Sequence, residues 1–63
     1  MMNEIATITF EDAETSSETW AFVRQDADHI GLGISLKDDG DIEVFMKHTD
    51  ARKLSEALIE SLA

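Results

Sequence analysis

An α+β fold, with a four-stranded antiparallel sheet and one C-terminal helix packed on one of its faces, is what this 63-residue sequence predicts. Two patterns point to it. Four successive segments alternate apolar with polar or small residues, the signature of strands with one buried face, and the last segment switches to apolar spacings of three and four, the signature of a helix. Proline is absent and no segment repeats, so residues 1–63 read as a single small domain.

The first strand is Ile5 to Phe10, rich in β-branched residues, with Ala6, Ile8 and Phe10 on one face and Ile5, Thr7 and Thr9 on the other. Glu11 to Glu18 is polar and reads as a loop. Thr19 to Gln25 is the second strand, with Trp20 and Phe22 facing one way and Ala21 and Val23 the other; which pair is buried stays open. After a turn at Asp26 to His29, Ile30 to Lys37 sets Ile30, Leu32, Ile34 and Leu36 against Gly31, Gly33, Ser35 and Lys37.

The fourth strand, Asp41 to His48, places Ile42, Val44 and Met46 together. Residues that oppose each other share a face, so Leu36 is expected opposite Ile42, Lys37 opposite Asp41 and Gly33 under Phe45. The loop is then Asp38-Asp39-Gly40, with Gly40 in the left-handed conformation that three-residue hairpins favour. A helix from Asp50 to Ser61 follows, capped by Thr49 or Asp50, with Ala51, Leu54, Leu58 and Leu62 on one stripe.

Charge is the most informative feature. Residues 1–43 hold 11 acids and two bases, whereas residues 44–63 hold three of each, so the net charge of -9 belongs wholly to the sheet and its loops. Asp39, Asp41 and Glu43 recur at every second residue, a spacing of about 6.6 Å along a strand, of the order of successive phosphates on a nucleic-acid strand. Asp26 and Asp28 repeat the spacing at the preceding turn, and Glu11, Asp12, Glu14 and Glu18 crowd the first loop. A partner-binding surface of Asp26, Asp28, Asp38, Asp39, Asp41 and Glu43 follows, with Glu11, Asp12 and Glu14 as a secondary set. Its partner would be a basic nucleic-acid-binding protein, steered by the field of the acids. Solubility or salt adaptation gives the same excess of acids, and that alternative stands beside it.

Other classes fit less well. Direct nucleic-acid binding needs clustered Lys and Arg, which the chain lacks. No apolar run approaches the roughly 18 residues of a membrane span, no basic-then-apolar leader is present, and a cytoplasmic location is expected. With no cysteine there is no disulfide or thiol chemistry. The groups Asp26, Asp28, His29 and Asp38, Asp39, Asp41, Glu43 lack the spacing of a calcium loop, and His29 and His48 lie far apart, so no metal, no cofactor and no enzyme activity are expected. If Ala21 and Val23 face the helix, Trp20, Phe22 and Phe45 gather on the outer face, and the alternative function is an interaction module that homodimerises or docks through them.

The stretch Asp41-Ile42-Glu43-Val44-Phe45-Met46 followed by Asp50-Ala51-Arg52-Lys53-Leu54 resembles the strand-then-helix ending of many small bacterial and phage proteins. In format the whole chain resembles phage-encoded anti-CRISPR proteins, above all those that imitate DNA. That resemblance implies an inhibitor that blocks recognition of the protospacer-adjacent motif by a type I surveillance complex, with a CRISPR effector subunit as partner inside a bacterial cell. The resemblance carries over no individual residue. A monomer or weak homodimer is expected.

Overall fold

The computed structural model describes residues 2–63 and has the order β1 (Asn3–Glu11), β2 (Glu18–Gln25), β3 (His29–Leu36), β4 (Gly40–Lys47) and α1 (His48–Leu62). The strands form an antiparallel meander in sequence order, so the fold is the expected α+β ββββα arrangement. The strand bounds differ from expectation mainly because β1 and β2 extend to pair Glu11 with Glu18, which shortens the first loop to residues 12–17.

The β3–β4 register is displaced by two residues from the expected one. Leu36 lies opposite Gly40, Ile34 opposite Ile42, Leu32 opposite Val44 and Ile30 opposite Met46. Lys37 is therefore a turn residue and not a partner of Asp41, and Phe45 lies opposite Gly31, not Gly33. Alternation fixes which face a side chain takes, but a slip of two preserves every face, so parity cannot separate the two registers. The turn decides: Asp39 N–H donates to the Leu36 carbonyl at 3.3 Å, and Gly40 follows with φ of 87°, opening β4 instead of closing the loop. Gly40 takes the expected left-handed conformation, but as the first residue of β4 and not the last of the loop.

The same pairings resolve the faces. Ala21 and Val23 oppose Ile34 and Leu32, so they share the helix side, and Trp20 and Phe22 lie on the outer face with Phe45. Phe22 sits directly over Gly33, where an added Cβ would stand 2.1 Å from its ring, and Phe45 covers Gly31 at 3.1 Å. Both glycines are buried, because an aromatic ring occupies the space a side chain would take. Ile5 falls at a bulge between Glu4 and Ala6. Ala6, Ile8 and Phe10 stay together on the helix side, as expected, opposite Val23, Ala21 and Thr19.

The helix begins at His48, two residues before the expected start, and follows β4 without a loop. Its N-cap is Lys47, in an extended conformation and without a side-chain cap, so neither Thr49 nor Asp50 caps it; Asp50 instead lies in the first turn, where a carboxylate suits the macrodipole. The helix approaches β3 and β4 most closely and comes no nearer than the far side of an open groove to β2. Between them Val23, Ile30, Leu32, Met46, Leu54 and Leu58 line an open apolar groove of about 410 Å³.

Among the described residues no hydrophobic side chain is fully buried. Cα extents of 34 × 32 × 15 Å make a slab.

Gly33→Ala is expected to lower stability by about 1–3 kcal/mol through overpacking against Phe22. Urea denaturation at fixed protein concentration should show that cost shrinking in a Phe22→Ala background, a non-additivity that marks the ring as the clashing group.

Candidate acidic interface

In a four-strand meander, the loops after β1 and after β3 share one end of the sheet, and the β2–β3 turn lies at the other. The two loops at the first end are neighbours: Lys37 N–H donates to the Glu18 carbonyl at 3.1 Å. Seven carboxylates therefore collect there, Glu11, Asp12, Glu14, Glu18, Asp38, Asp39 and Asp41, with Lys37 the one base beside them.

Of the sequence-predicted set, Glu11, Asp12, Glu14, Asp38, Asp39 and Asp41 are thus brought together. Asp26 and Asp28 are not: an eight-residue strand separates them from this end by roughly 25 Å. Glu18 joins the cluster, although the sequence reading left it out of the binding set. Its signal was the acid directly across the strand pair, Glu11, since like charges in a non-terminal pair would be destabilising and a strand end leaves both in water.

The carboxylates differ in what they are free to do. Asp12 Oδ1 accepts the N–H groups of Glu14 at 2.8 Å and Thr15 at 3.1 Å, which tie the loop into a turn. Those two N–H groups, Glu14 first, hold the Asp12 carboxyl below the ordinary aspartate value of 3.8. The loop is closed further by Asp12 N–H to the Ser17 carbonyl at 2.9 Å, and Ser16 takes a positive φ of 64° within it. Asp26 does the same at the other end. It accepts from Asp28 N–H at 2.8 Å and His29 N–H at 2.7 Å, and these bonds, with the nearby imidazole, hold its carboxyl below 3.8.

Asp41 and Glu43 share the outer face, as their spacing predicts. Glu43 is half-buried against Gly31 and lies 3.6 Å from Arg24 Nε, and its Oε2 has no hydrogen-bond partner. Arg24 also sits over the Phe22 ring, 5.0 Å from its centroid. Glu43 therefore belongs to an Arg24–Phe22 cluster within the sheet, whereas Glu11, Glu14, Glu18, Asp38, Asp39 and Asp41 are exposed.

Every charged strand residue falls on one face. Glu4, Glu11, Glu18, Arg24, Asp41, Glu43 and Lys47 all take the outer side, and the helix side carries none. Among the described residues no group of three His, Asp or Glu side chains is arranged to hold a metal ion, and no helix is long and apolar enough to cross a membrane.

No family profile, no curated protein and no solved structure matches this chain. Function has to be read from the surface itself.

The lowered Asp26 carboxyl makes a signed prediction. A group with a depressed folded-state pKa adds stability above its unfolded value and loses it as pH falls through the folded one. Asp26→Asn keeps a side-chain acceptor for the turn but cannot ionise. Urea midpoints should show the wild type more stable than this variant above pH 3.8, with the difference vanishing as pH drops through the lowered value.

Proposed function

We propose that this chain is a non-enzymatic inhibitor whose acidic end occupies the nucleic-acid site of a basic protein. The observation that supports it most is the gathering of seven carboxylates from two separate loops at one end of a sheet, with a single lysine among them. Exposed carboxylates in such an array accept charge-assisted hydrogen bonds from Arg and Lys, the groups that grip phosphates. Asp38, Asp39 and Asp41 on the hairpin form the leading contacts, with Glu11 and Glu14 on the neighbouring loop. Asp12 contributes one oxygen while the other holds its own loop. Asp26, Asp28 and Glu43 are secondary on this geometry, the first two by distance and the third by its engagement with Arg24. An anti-CRISPR of the DNA-mimicking kind, acting on a type I effector subunit in the bacterial cytoplasm, fits this reading.

The second reading, docking through the aromatic face, has one observation in its favour: Phe45 is 57% exposed. Against it, Phe22 and Phe45 are already seated on Gly33 and Gly31, and five carboxylates share their face.

The tagged full chain, immobilised and exposed to a bacterial lysate, is expected to retain a nucleic-acid-binding protein at low salt. High salt or added duplex DNA should release it. The variant carrying Asp39→Lys and Asp41→Lys should retain none of it while melting within a few degrees of the wild type, both sites being exposed. Undiminished capture by that variant would sink the proposed surface.

A further inference from the structure

The helix side of the sheet is incompletely roofed. A helix with its side chains is about 10 Å across and strands lie roughly 4.8 Å apart, so one helix covers about two strands. Here it lies nearest β3 and β4 and leaves much of that side open, and among the described residues there is no second helix to complete the roof. The exposed apolar side chains reflect this: Ile8 is 59% and Phe10 46% exposed on β1, Ile42 65% and Val44 46% on β4, and Leu58 is 58% exposed on the helix.

The missing cover can be measured. A compact monomer of 7.0 kDa exposes about 4,000 Å², whereas this chain exposes 5072 Å², an excess of roughly 1,000 Å². A standard interface removes roughly 800 Å² from each partner. The radius of gyration is 12.7 Å against about 10.6 Å for a compact chain of this length, which is the same discrepancy in another form.

We infer that the occupant of the bare face is a second copy of this chain, in a two-fold arrangement where each helix closes the open part of its partner's sheet. Three features single out a copy. What the surface lacks is one amphipathic helix, and what it has in excess is one helix with an unburied apolar side. A two-fold axis satisfies both deficits at once, because each subunit is donor and acceptor. Finally, two chains of charge -9 repel each other least across the side of the sheet whose strands carry no carboxylate, and the helix that would meet it, counted with its Lys47 cap, is electrically balanced. The association does not depend on what the acidic end binds.

Sedimentation equilibrium and thermal melts of the full chain over a dilution series test this. The expected result is twice the 7.0 kDa chain mass, a melting midpoint that rises with protein concentration, and association that tightens with salt as repulsion is screened. Leu58→Asp and Ile8→Asp should each raise the dissociation constant more than about tenfold, while Phe45→Ser leaves it unchanged. Because those two variants also weaken the fold, the wild-type concentration dependence carries the decision. A single-chain mass with a concentration-independent midpoint overturns the inference. So does association lost with Phe45→Ser but kept with Leu58→Asp, or association that weakens with salt.

Discussion

The constraint on which this structure turns is the amphiphilicity of its sheet. Four strands with a strict period of two put all their charged residues on one side and nearly all their aliphatic ones on the other. The aliphatic side then needs a roof, and a small chain has little with which to build one; a domain of this size buries only about 60% of the surface its unfolded chain exposes. The helix that follows β4 without a loop comes nearest to β3 and β4, and even there Ile42 and Val44 stay exposed. The open groove, the flat shape and the absence of a fully buried hydrophobic residue among the described ones all descend from that one shortfall.

The outer side solves its own packing by different means. Aromatic rings on Gly31 and Gly33 let β3 bury backbone without any opposing layer, and Arg24 stacks on Phe22 while reaching Glu43. The charges left over collect at the ends of the strands, where water solvates them and where two loops meet. Thus the acids that stabilise turns, Asp12 and Asp26, and the acids that remain exposed have separate physical roles although they look alike in sequence.

Much of this was legible beforehand, for reasons that particular residues make clear. Apolar alternation placed Ile30, Leu32, Ile34 and Leu36 on one side and all four strands in order, because a period of two leaves no other solution for a half-buried strand. Gly40 announced its left-handed turn. The β3–β4 register was not legible, since parity survives a slip of two residues, and the burial of Phe22 depended on a glycine across the strand pair. For the acidic surface, charge counting found the residues but could not tell ends apart: Asp28 and Asp38 are ten positions apart in sequence yet belong to opposite ends of the sheet, because one strand lies between them. Topology, not composition, sorts them.

The two outermost strands have a consequence of their own. β1 and β4 each leave one row of backbone groups without a strand partner, which in a flat apolar strand invites endless lateral addition. Here β1 carries a bulge at Ile5, with Glu4 beside it and Glu11 at its end, and the first half of β4 carries Asp41 and Glu43. A kink and like charges make each margin a poor template for fibril growth. In a protein with this much bare aliphatic surface, these features work against amyloid-like stacking.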